Sequence, residues 1–292
     1  MVIAGVALSN AAFVLKKNSY PLSFSTLGCP KWALPDIINF ASDNGYDGIE
    51  IRGILGELDL TKCPDFSSSE KIASVKKVVK DKQLKIINLG ASTGLHHADP
   101  EKRKSNLDEA RRFIDLAQKL DCPYIRVFPN NLPKDQDRNA TLDLISKGLV
   151  ELSDHAKGSN VSVLLETHGD VVETNDVLQI MKNSENPKVG LVWDVVNVWS
   201  VTKEPPAQVY EKLKKYIRHT HFKDAKFANG EMHYVLMGQG DAPISEAVKA
   251  LINGKYKGYY SFEWEKLWHP DIEEPEIAIA QYPKEMEKYF KT

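Results

Sequence analysis

The 292-residue chain has 38 lysines and arginines against 40 aspartates and glutamates, which gives a net charge of −2 at pH 7. Because basic and acidic residues are nearly equal in number, the chain has no excess positive charge to attract nucleic acid or an acidic membrane surface, and we expect neither as a partner. Hydrophobic residues make up 42% and charged residues 27%, as in ordinary globular proteins; the three cysteines form no C-x-x-C pair, which argues against a disulfide framework or a zinc finger.

The first residues, from Met1 to Val14, are apolar and rich in small side chains, and Lys16 and Lys17 follow them. This stretch is too short to cross a bilayer as a helix, so we expect no membrane span. Two interpretations stay open for residues 1–19: an N-terminal arm, or the remnant of an export signal that lacks its basic start. The second interpretation predicts an exported or periplasmic protein, and the first predicts a cytoplasmic one.

From residue 20 onward, short β-branched runs alternate with polar amphipathic stretches, which predicts alternating strands and helices. The predicted strands are Pro21–Thr26, Gly48–Arg52, Lys85–Leu89, Tyr124–Phe128, Val161–Glu166, Val189–Asp194, Ile217–Phe222 and Gly258–Trp264. The predicted helices that follow them are Leu34–Asn44, Ser67–Asp81, Glu101–Leu120, Arg138–Lys157, Asn175–Lys182, Ala207–Tyr216, Ile244–Ile252 and Pro275–Phe290.

This strict alternation predicts a parallel sheet, because parallel neighbours need a crossover connection between them. Eight such units close naturally into a (β/α)8 TIM barrel of the α/β class. An open, doubly wound sheet is the alternative, but it usually carries a glycine-rich phosphate loop after its first strand. The sequence contains no such loop and no linker, so a single barrel domain over residues 20–292 is favoured.

Charged residues stand at the ends of four consecutive predicted strands: Glu166, Asp194, His221 and Glu263. Because the carboxyl ends of barrel strands face one pocket, we expect these four side chains to meet. Three carboxylates and one imidazole suit a single divalent ion such as Mn, Mg, Co or Zn, whose charge offsets their repulsion. The alternative is that each of these residues is a solvent-facing loop residue. This alternative explains a single charged residue at a strand end more easily than four at equivalent places in successive units.

Other polar residues near the strand ends are candidates for the same pocket. His96 follows the third predicted strand and could contact a substrate, although a solvated loop histidine is the alternative. Arg126, Glu50 and Arg52 lie within strands, where substrate contact and an internal ion pair are both open. His219 precedes His221 by two residues and should share its face of the strand, behind the metal ligands.

The segments LLETHG, WDVVNVW, HTHFKD, MGQGD and GYYSFEWE resemble those of the xylose-isomerase-like TIM barrel superfamily, in its branch of sugar phosphate isomerases and epimerases. The resemblance covers nearly the whole chain after residue 20, and the order and spacing of the segments carry it. It implies that one divalent ion is bound by Glu166, Asp194, His221 and Glu263.

In the ketose epimerases of this superfamily the two glutamates also serve as acid and base, which implies catalytic roles for Glu166 and Glu263. The resemblance further implies that His168, Asn197 and Lys223 face the substrate. The chain departs from the pattern at Asn197, where ketose epimerases usually have a histidine. Asparagine cannot act as a protonated donor, so the substrate of this chain can differ from the substrates of the ketose epimerases.

The resemblance implies an isomerase or epimerase that acts on a sugar or sugar derivative by glutamate-mediated proton transfer through an enediolate. A lyase is the first alternative, either a keto-polyol dehydratase or an enzyme that cleaves 3-keto C-glycosides. A non-catalytic sugar-binding barrel subunit is the alternative from another class. Members of the superfamily often form dimers or tetramers, which by analogy allows a homo-oligomer.

Overall fold

The computed structural model describes residues 20–228 and 230–291. The predicted N-terminal arm or export signal, residues 1–19, therefore lies outside the described residues. No helix in the described ranges is both long and apolar enough to cross a membrane.

Ten strands are present in the described part of the chain. They are β1 (Leu22–Ser25), β2 (Gly48–Ile51), β3 (Lys85–Gly94), β4 (Tyr124–Phe128), β5 (Ser162–Glu166), β6 (Val189–Asp194), β7 (Ile217–Phe222), β8 (Asp224–Ala228), β9 (Glu231–Val235) and β10 (Tyr260–Phe262). Eight of them are parallel and close into a barrel in the order β1, β2, β3, β4, β5, β6, β7, β10, and β10 pairs again with β1. The predicted (β/α)8 barrel is confirmed, and the open sheet is excluded.

Nine α-helices are described for the same ranges. They are α1 (Leu34–Asp43), α2 (Ser69–Asp81), α3 (Pro100–Lys119), α4 (Arg138–His155), α5 (Thr174–Asn183), α6 (Val195–Thr202), α7 (Pro206–Leu213), α8 (Ile244–Asn253) and α9 (Pro275–Phe290). Side-chain caps fix several helix starts: Ser68 accepts a hydrogen bond from Lys71 N, and Asp99 accepts one from Lys102 N. Each cap satisfies a backbone N–H that the first turn leaves without a helical partner.

The core forms where the strands contact the helices. Every residue of β5 and β6 is buried, as expected of parallel strands that are covered on both faces. In α3 the buried positions, among them Leu107, Ala110 and Phe113, recur at helical spacing and face the barrel. The barrel is thereby a rigid frame for the residues at its carboxyl-terminal rim.

Two elements at the rim differ from the sequence prediction. The prediction left residues 223–243 without secondary structure, but β8 and β9 form an antiparallel hairpin there, with Gly230 at a φ of +83° just before β9. The predicted helix Ala207–Tyr216 is α7, and α6, which the sequence did not predict, precedes it. Helix α6 begins immediately after β6 because Asp194 caps it, so the chain has no loop there that would mark a helix start.

Candidate active site

The four predicted metal ligands meet at the carboxyl-terminal rim of the barrel. Glu166 and Asp194 end β5 and β6, His221 is the penultimate residue of β7, and Glu263 directly follows β10. One donor atom of each lies within 4.8 Å of the others, and all four side chains are buried. The register explains the convergence, because Asp194 pairs with His221, and His221 pairs with Ser261, two residues before Glu263.

The imidazole of His221 is oriented by a carboxylate behind it. Its Nε2 lies 2.9 Å from Glu50 Oε2, and its Nδ1 lies 3.5 Å from Glu166 Oε1 and 3.2 Å from Glu263 Oε1. Nδ1 is buried and has no hydrogen-bond partner. Burial works to lower the pKa of His221, but Glu263, Glu50 and Glu166 outweigh it and raise the pKa well above its usual range, so the ring is protonated when no ion is present. If an ion replaced the Nδ1 proton while the Nε2 proton stayed on the side of Glu50, the Nδ1 lone pair would face the ion, which is the arrangement of a metal-ligating histidine.

The same Glu50 oxygen accepts two further hydrogen bonds, from Asn88 Nδ2 at 3.0 Å and from His219 Nε2 at 2.9 Å. Burial works to raise the pKa of Glu50, but His221 and His219 outweigh it and hold the pKa well below its usual range. Glu50 is therefore a carboxylate that supports both histidines. His219 lies behind the ligands, as its spacing from His221 predicts.

Arg126 pairs with the first glutamate of the site. Its Nε lies 3.0 Å from Glu166 Oε2, and both side chains are buried. Its Nη1 donates a hydrogen bond to the carbonyl of Ala91 at 3.0 Å, which fixes the guanidinium. Of the two roles that the sequence left open, the internal ion pair is observed, and it holds a predicted catalytic carboxylate in place.

Lys223 pairs with the opposite side of the site. Its buried Nζ lies 2.8 Å from Asp194 Oδ2, 2.8 Å from Glu263 Oε2 and 2.6 Å from Glu265 Oε1. Glu265 was not among the predicted site residues. Its signal was the alternation in the segment SFEWE, because residues 263 and 265 share a face when the chain continues in an extended form.

Asp194 has two separate tasks. Its Oδ1 accepts a hydrogen bond from Asn197 N at 2.8 Å and caps α6, while the hydroxyl of Thr167 accepts one from Asp194 N at 3.0 Å. The cap directs Oδ2 toward Lys223 and the other ligands. Asn197 lies close to the site, but its side-chain Nδ2 donates to the carbonyl of Thr167 at 3.3 Å, so this donor is engaged within the protein.

The two predicted catalytic glutamates are ionised. Burial works to raise the pKa of Glu263, but the charges of His221 and Lys223 outweigh it and hold the pKa well below its usual range. Burial and Glu263 also work to raise the pKa of Glu166, and Arg126 and His221 nevertheless lower it. Both side chains are thus in the form that accepts a proton.

The remaining predicted substrate contacts are the two histidines. His168 is half-buried, its ring lies 4.4 Å from that of Phe128, and burial lowers its pKa, which keeps the imidazole neutral. Its Nδ1 has no partner, although Glu166 and Lys223 are near enough to influence its charge. His96 packs against His97 with ring centroids 4.0 Å apart and the rings tilted, beyond the end of β3 and two strands from β5.

The charge of the site fits a divalent ion. Six carboxylates and four cations are buried in or beside the barrel mouth: Glu50, Glu166, Asp194, Asp224, Glu263 and Glu265, and Arg52, Arg126, Lys223 and Lys266. With every carboxylate ionised and the imidazoles neutral, the forms that bind a metal, this set would carry an excess of two negative charges, which is unfavourable in a buried site. In keeping with this excess, burial raises the pKa of Asp194 to about 7 despite the neighbouring Lys223. A divalent cation at the four ligands would neutralise it, and the oxygen-rich donor set with one nitrogen is compatible with Mg, Mn, Co or Zn.

A family model described as "Xylose isomerase-like TIM barrel" matches residues 38–287. This chain belongs to the xylose isomerase-like TIM barrel family. Fructoselysine 3-epimerase from Shigella flexneri is 25% identical over 266 residues, which cover 88% of this chain and 93% of the relative. 3-Dehydroshikimate dehydratase from Bacillus anthracis is 24% identical over 201 residues, which cover 66% of this chain and 67% of the relative.

Solved structures of similar proteins share the barrel. The crystal structure of the IOLI protein, which holds a bound zinc atom, aligns with a TM-score of 0.77 at 20% sequence identity. The alignment covers 92% of this chain and 97% of that structure. At this identity the similarity shows the fold that both proteins share.

Proposed function

We propose that this member of the family is a divalent-metal-dependent isomerase or epimerase that acts on a sugar or sugar derivative. One observation carries the proposal: two ionised, buried glutamates, Glu166 and Glu263, flank the unpartnered Nδ1 of His221 at 3.5 Å and 3.2 Å. They come from β5 and from the end of β10, the two ends of a four-strand arc. A substrate seated between them would have a carboxylate on either side.

The ion would be held by Glu166, Asp194, His221 and Glu263. When bound, it would polarise a substrate carbonyl and make the adjacent C–H more acidic. Support comes from the charge excess of the site and from the bound zinc in the IOLI protein. Glu50 would keep the Nδ1 lone pair of His221 directed at the ion, as outer carboxylates do for metal-ligating histidines.

The chain's own residues would move the proton. One glutamate accepts the proton from the carbon next to the carbonyl. The other first takes up a proton from solvent and donates it to the opposite face, which inverts that carbon, and the proton on the first glutamate then returns to solvent. Return of the proton to the neighbouring carbon gives an isomerase instead. Arg126 and Lys223 hold the two carboxylates as anions in fixed positions, so little reorganisation is needed when the substrate arrives.

The relatives support an epimerase first and a lyase second. Fructoselysine 3-epimerase aligns over most of both chains, and inversion beside a carbonyl needs two opposed proton-transfer groups. The similarity to 3-dehydroshikimate dehydratase favours a lyase as the second candidate. Loss of a β-hydroxyl after the same proton abstraction would use one glutamate as the base. The other, protonated from solvent, would give its proton to the departing hydroxyl, which leaves as water.

Hydrogen exchange tests the shared first step. The purified protein is incubated in D2O with Mn²⁺ and a panel of ketoses, 3-keto glycosides and inososes, and deuterium in the recovered sugars is measured by mass spectrometry. We expect deuterium beside the carbonyl of at least one compound, because abstraction exchanges the proton even without net conversion. Absence of exchange across the panel would contradict the proposal.

Metal content separates the enzyme from the alternative of a sugar-binding subunit. We expect one equivalent of a divalent metal per chain by elemental analysis, or exchange that depends on added metal. A protein without stoichiometric metal and without metal-stimulated exchange would favour the binding subunit, because a binder has no need of two opposed glutamates.

A further inference from the structure

A cavity of about 610 Å³ is formed by loops at the rim that also carries the candidate active site. Its walls include Trp32 from the loop after β1, Leu55 from the loop after β2, and Leu267 and Pro270 from the segment after β10. All three loops follow the carboxyl ends of barrel strands, so the cavity opens on the face that carries the four ligands. Its position between β10 and β2 continues the four-strand arc that ends at β10.

Leu55 is an unusual residue for its position. Its side chain is 64% exposed, and its φ of 51° lies in the left-handed region, which disfavours side chains other than those of glycine, asparagine and aspartate. Together with Gly56 it forms a tight turn closed by the bridge between Ile54 and Glu57. An exposed leucine in a strained backbone conformation indicates a use for its apolar surface, and that surface faces the cavity.

The cavity approaches the catalytic residues at Arg52. A small void of about 10 Å³ adjoins Arg52 and shares Pro30, Gly56 and Leu267 with the cavity wall. Arg52 is 5% exposed; its Nη2 donates to Ser92 Oγ at 3.0 Å, and its Nη1 is buried without a hydrogen-bond partner. A buried donor of this kind calls for an acceptor that the described residues do not supply.

Arg52 also lies next to the arginine that holds Glu166. Both arginine side chains pass close to Gly90. A Cβ atom placed at that glycine would lie 2.6 Å from Arg52 Cδ and 2.9 Å from Arg126 Nη2. Arg126 in turn contacts Glu166. Contacts therefore lead from Glu166 through Arg126 to Arg52, which adjoins the small void next to the cavity.

The outer wall of the cavity is held in shape by Lys266. Its Nζ donates hydrogen bonds to the carbonyl of Pro270 at 2.9 Å and to Glu274 Oε1 at 2.9 Å, and it also reaches the carbonyl of Ile272. These bonds fix the segment between β10 and α9 before any ligand arrives. Sites of this kind, with an apolar wall and a few placed polar groups, are typical of small-molecule pockets.

We propose that the cavity is a second subsite of the active site, which binds an alkyl or aryl substituent attached to the sugar. The apolar substituent packs between Trp32, Leu55 and Leu267, and Arg52 Nη1 donates a hydrogen bond to an oxygen of the sugar near the attachment point. The substrate class is thus a substituted sugar rather than a free monosaccharide. This inference rests on the proposed function, since it places the sugar between Glu166 and Glu263.

A matched pair of ligands tests the subsite by binding alone. The probes are 1-amino-1-deoxy-D-fructose and its N-benzyl derivative, and binding to the full-length protein with Mn²⁺ is measured by calorimetry. We expect the benzyl derivative to bind about ten-fold more tightly, the usual discrimination of an apolar pocket. The variant Leu55→Asn should lose most of this preference while it folds normally, because asparagine suits the left-handed turn.

Val78→Ala is the control, since Val78 is an exposed aliphatic residue on α2, and it should retain the preference. Equal affinity for the two probes, including no measurable binding of either, would overturn the subsite, as would a full preference in Leu55→Asn. Failure of the proposed function looks different: the preference for the benzyl probe would persist, but neither probe would exchange hydrogen with the solvent.

Discussion

His221 belongs to two buried polar clusters that are built on different principles. Below it, Glu50 Oε2 collects hydrogen bonds from Asn88, His219 and His221, all between 2.9 and 3.0 Å. Above it, Glu166 and Glu263 face the unpartnered Nδ1 of the same ring. The lower cluster brings donors onto one carboxylate oxygen, whereas the upper one brings carboxylates toward one another.

This difference shows which cluster orients the side chains of the site and which cluster has the capacity to bind an ion. Converging donors satisfy a carboxylate and fix the orientation of both imidazoles. Converging carboxylates repel one another unless a cation joins them, so the upper cluster is suited to bind an ion and the lower one to position a ligand of that ion. Three experiments test this division, and we expect their effects to decrease in the order given.

Loss of either upper glutamate should have the largest effect. Glu166→Gln and Glu263→Gln keep the shape of the side chain but remove the group that accepts a proton, so each should lower kcat by about 10²- to 10⁴-fold. Far-UV circular dichroism should be unchanged, because the barrel core does not depend on these side chains. Near-normal turnover of the best substrate in either variant would refute the catalytic assignment.

Loss of the lower carboxylate should have an intermediate effect that is specific to the metal. Glu50→Gln removes the negative charge behind His221, and we expect the affinity for Mn²⁺ to fall by about 10- to 100-fold, as for other carboxylates that orient a metal-ligating histidine. Titration calorimetry measures the affinity, and high Mn²⁺ should restore much of the activity. Glu70→Gln, on the exposed start of α2, is the control and should bind Mn²⁺ normally.

If Glu50→Gln bound the metal as the unchanged protein does, the two clusters would be independent, and the division between support and binding would be wrong.

The smallest effect is expected at Thr167, which touches only the backbone of a ligand. Thr167→Val removes the hydroxyl that accepts from Asp194 N and donates to the carbonyl of Asp194. It should reduce the free energy of unfolding by about 2 kcal/mol, because each hydrogen bond typically contributes about 1 kcal/mol. Urea denaturation measures this loss, and kcat should change only a few-fold. A loss of kcat as large as that of Glu166→Gln would show that Asp194 is positioned mainly by Thr167 and not by the cap of α6.

Much of the candidate site could be predicted from local sequence. The strands β4, β6 and β7 have the predicted bounds, and the quartet converges because its members stand at or directly after four strand ends. Glu265 and α6 were missed for local reasons: Glu265 follows the strand rather than ending it, and α6 starts without a loop. The hairpin of β8 and β9 was missed because its segments, DAKFA and EMHYV, are not the β-branched runs from which the strands were predicted.

The amino-acid sequence was enough to predict the barrel and the four candidate ligands, because alternation of strands with helices and charges at strand ends are local patterns. What each candidate ligand contacts is visible only in the folded chain. Closure of the barrel brings Glu50 to His221 across 171 residues, makes Arg126 an ion-pair partner of Glu166, and joins three loops into the cavity. These contacts depend on packing across the barrel between distant segments, and residue spacing along the chain carries no record of such distances.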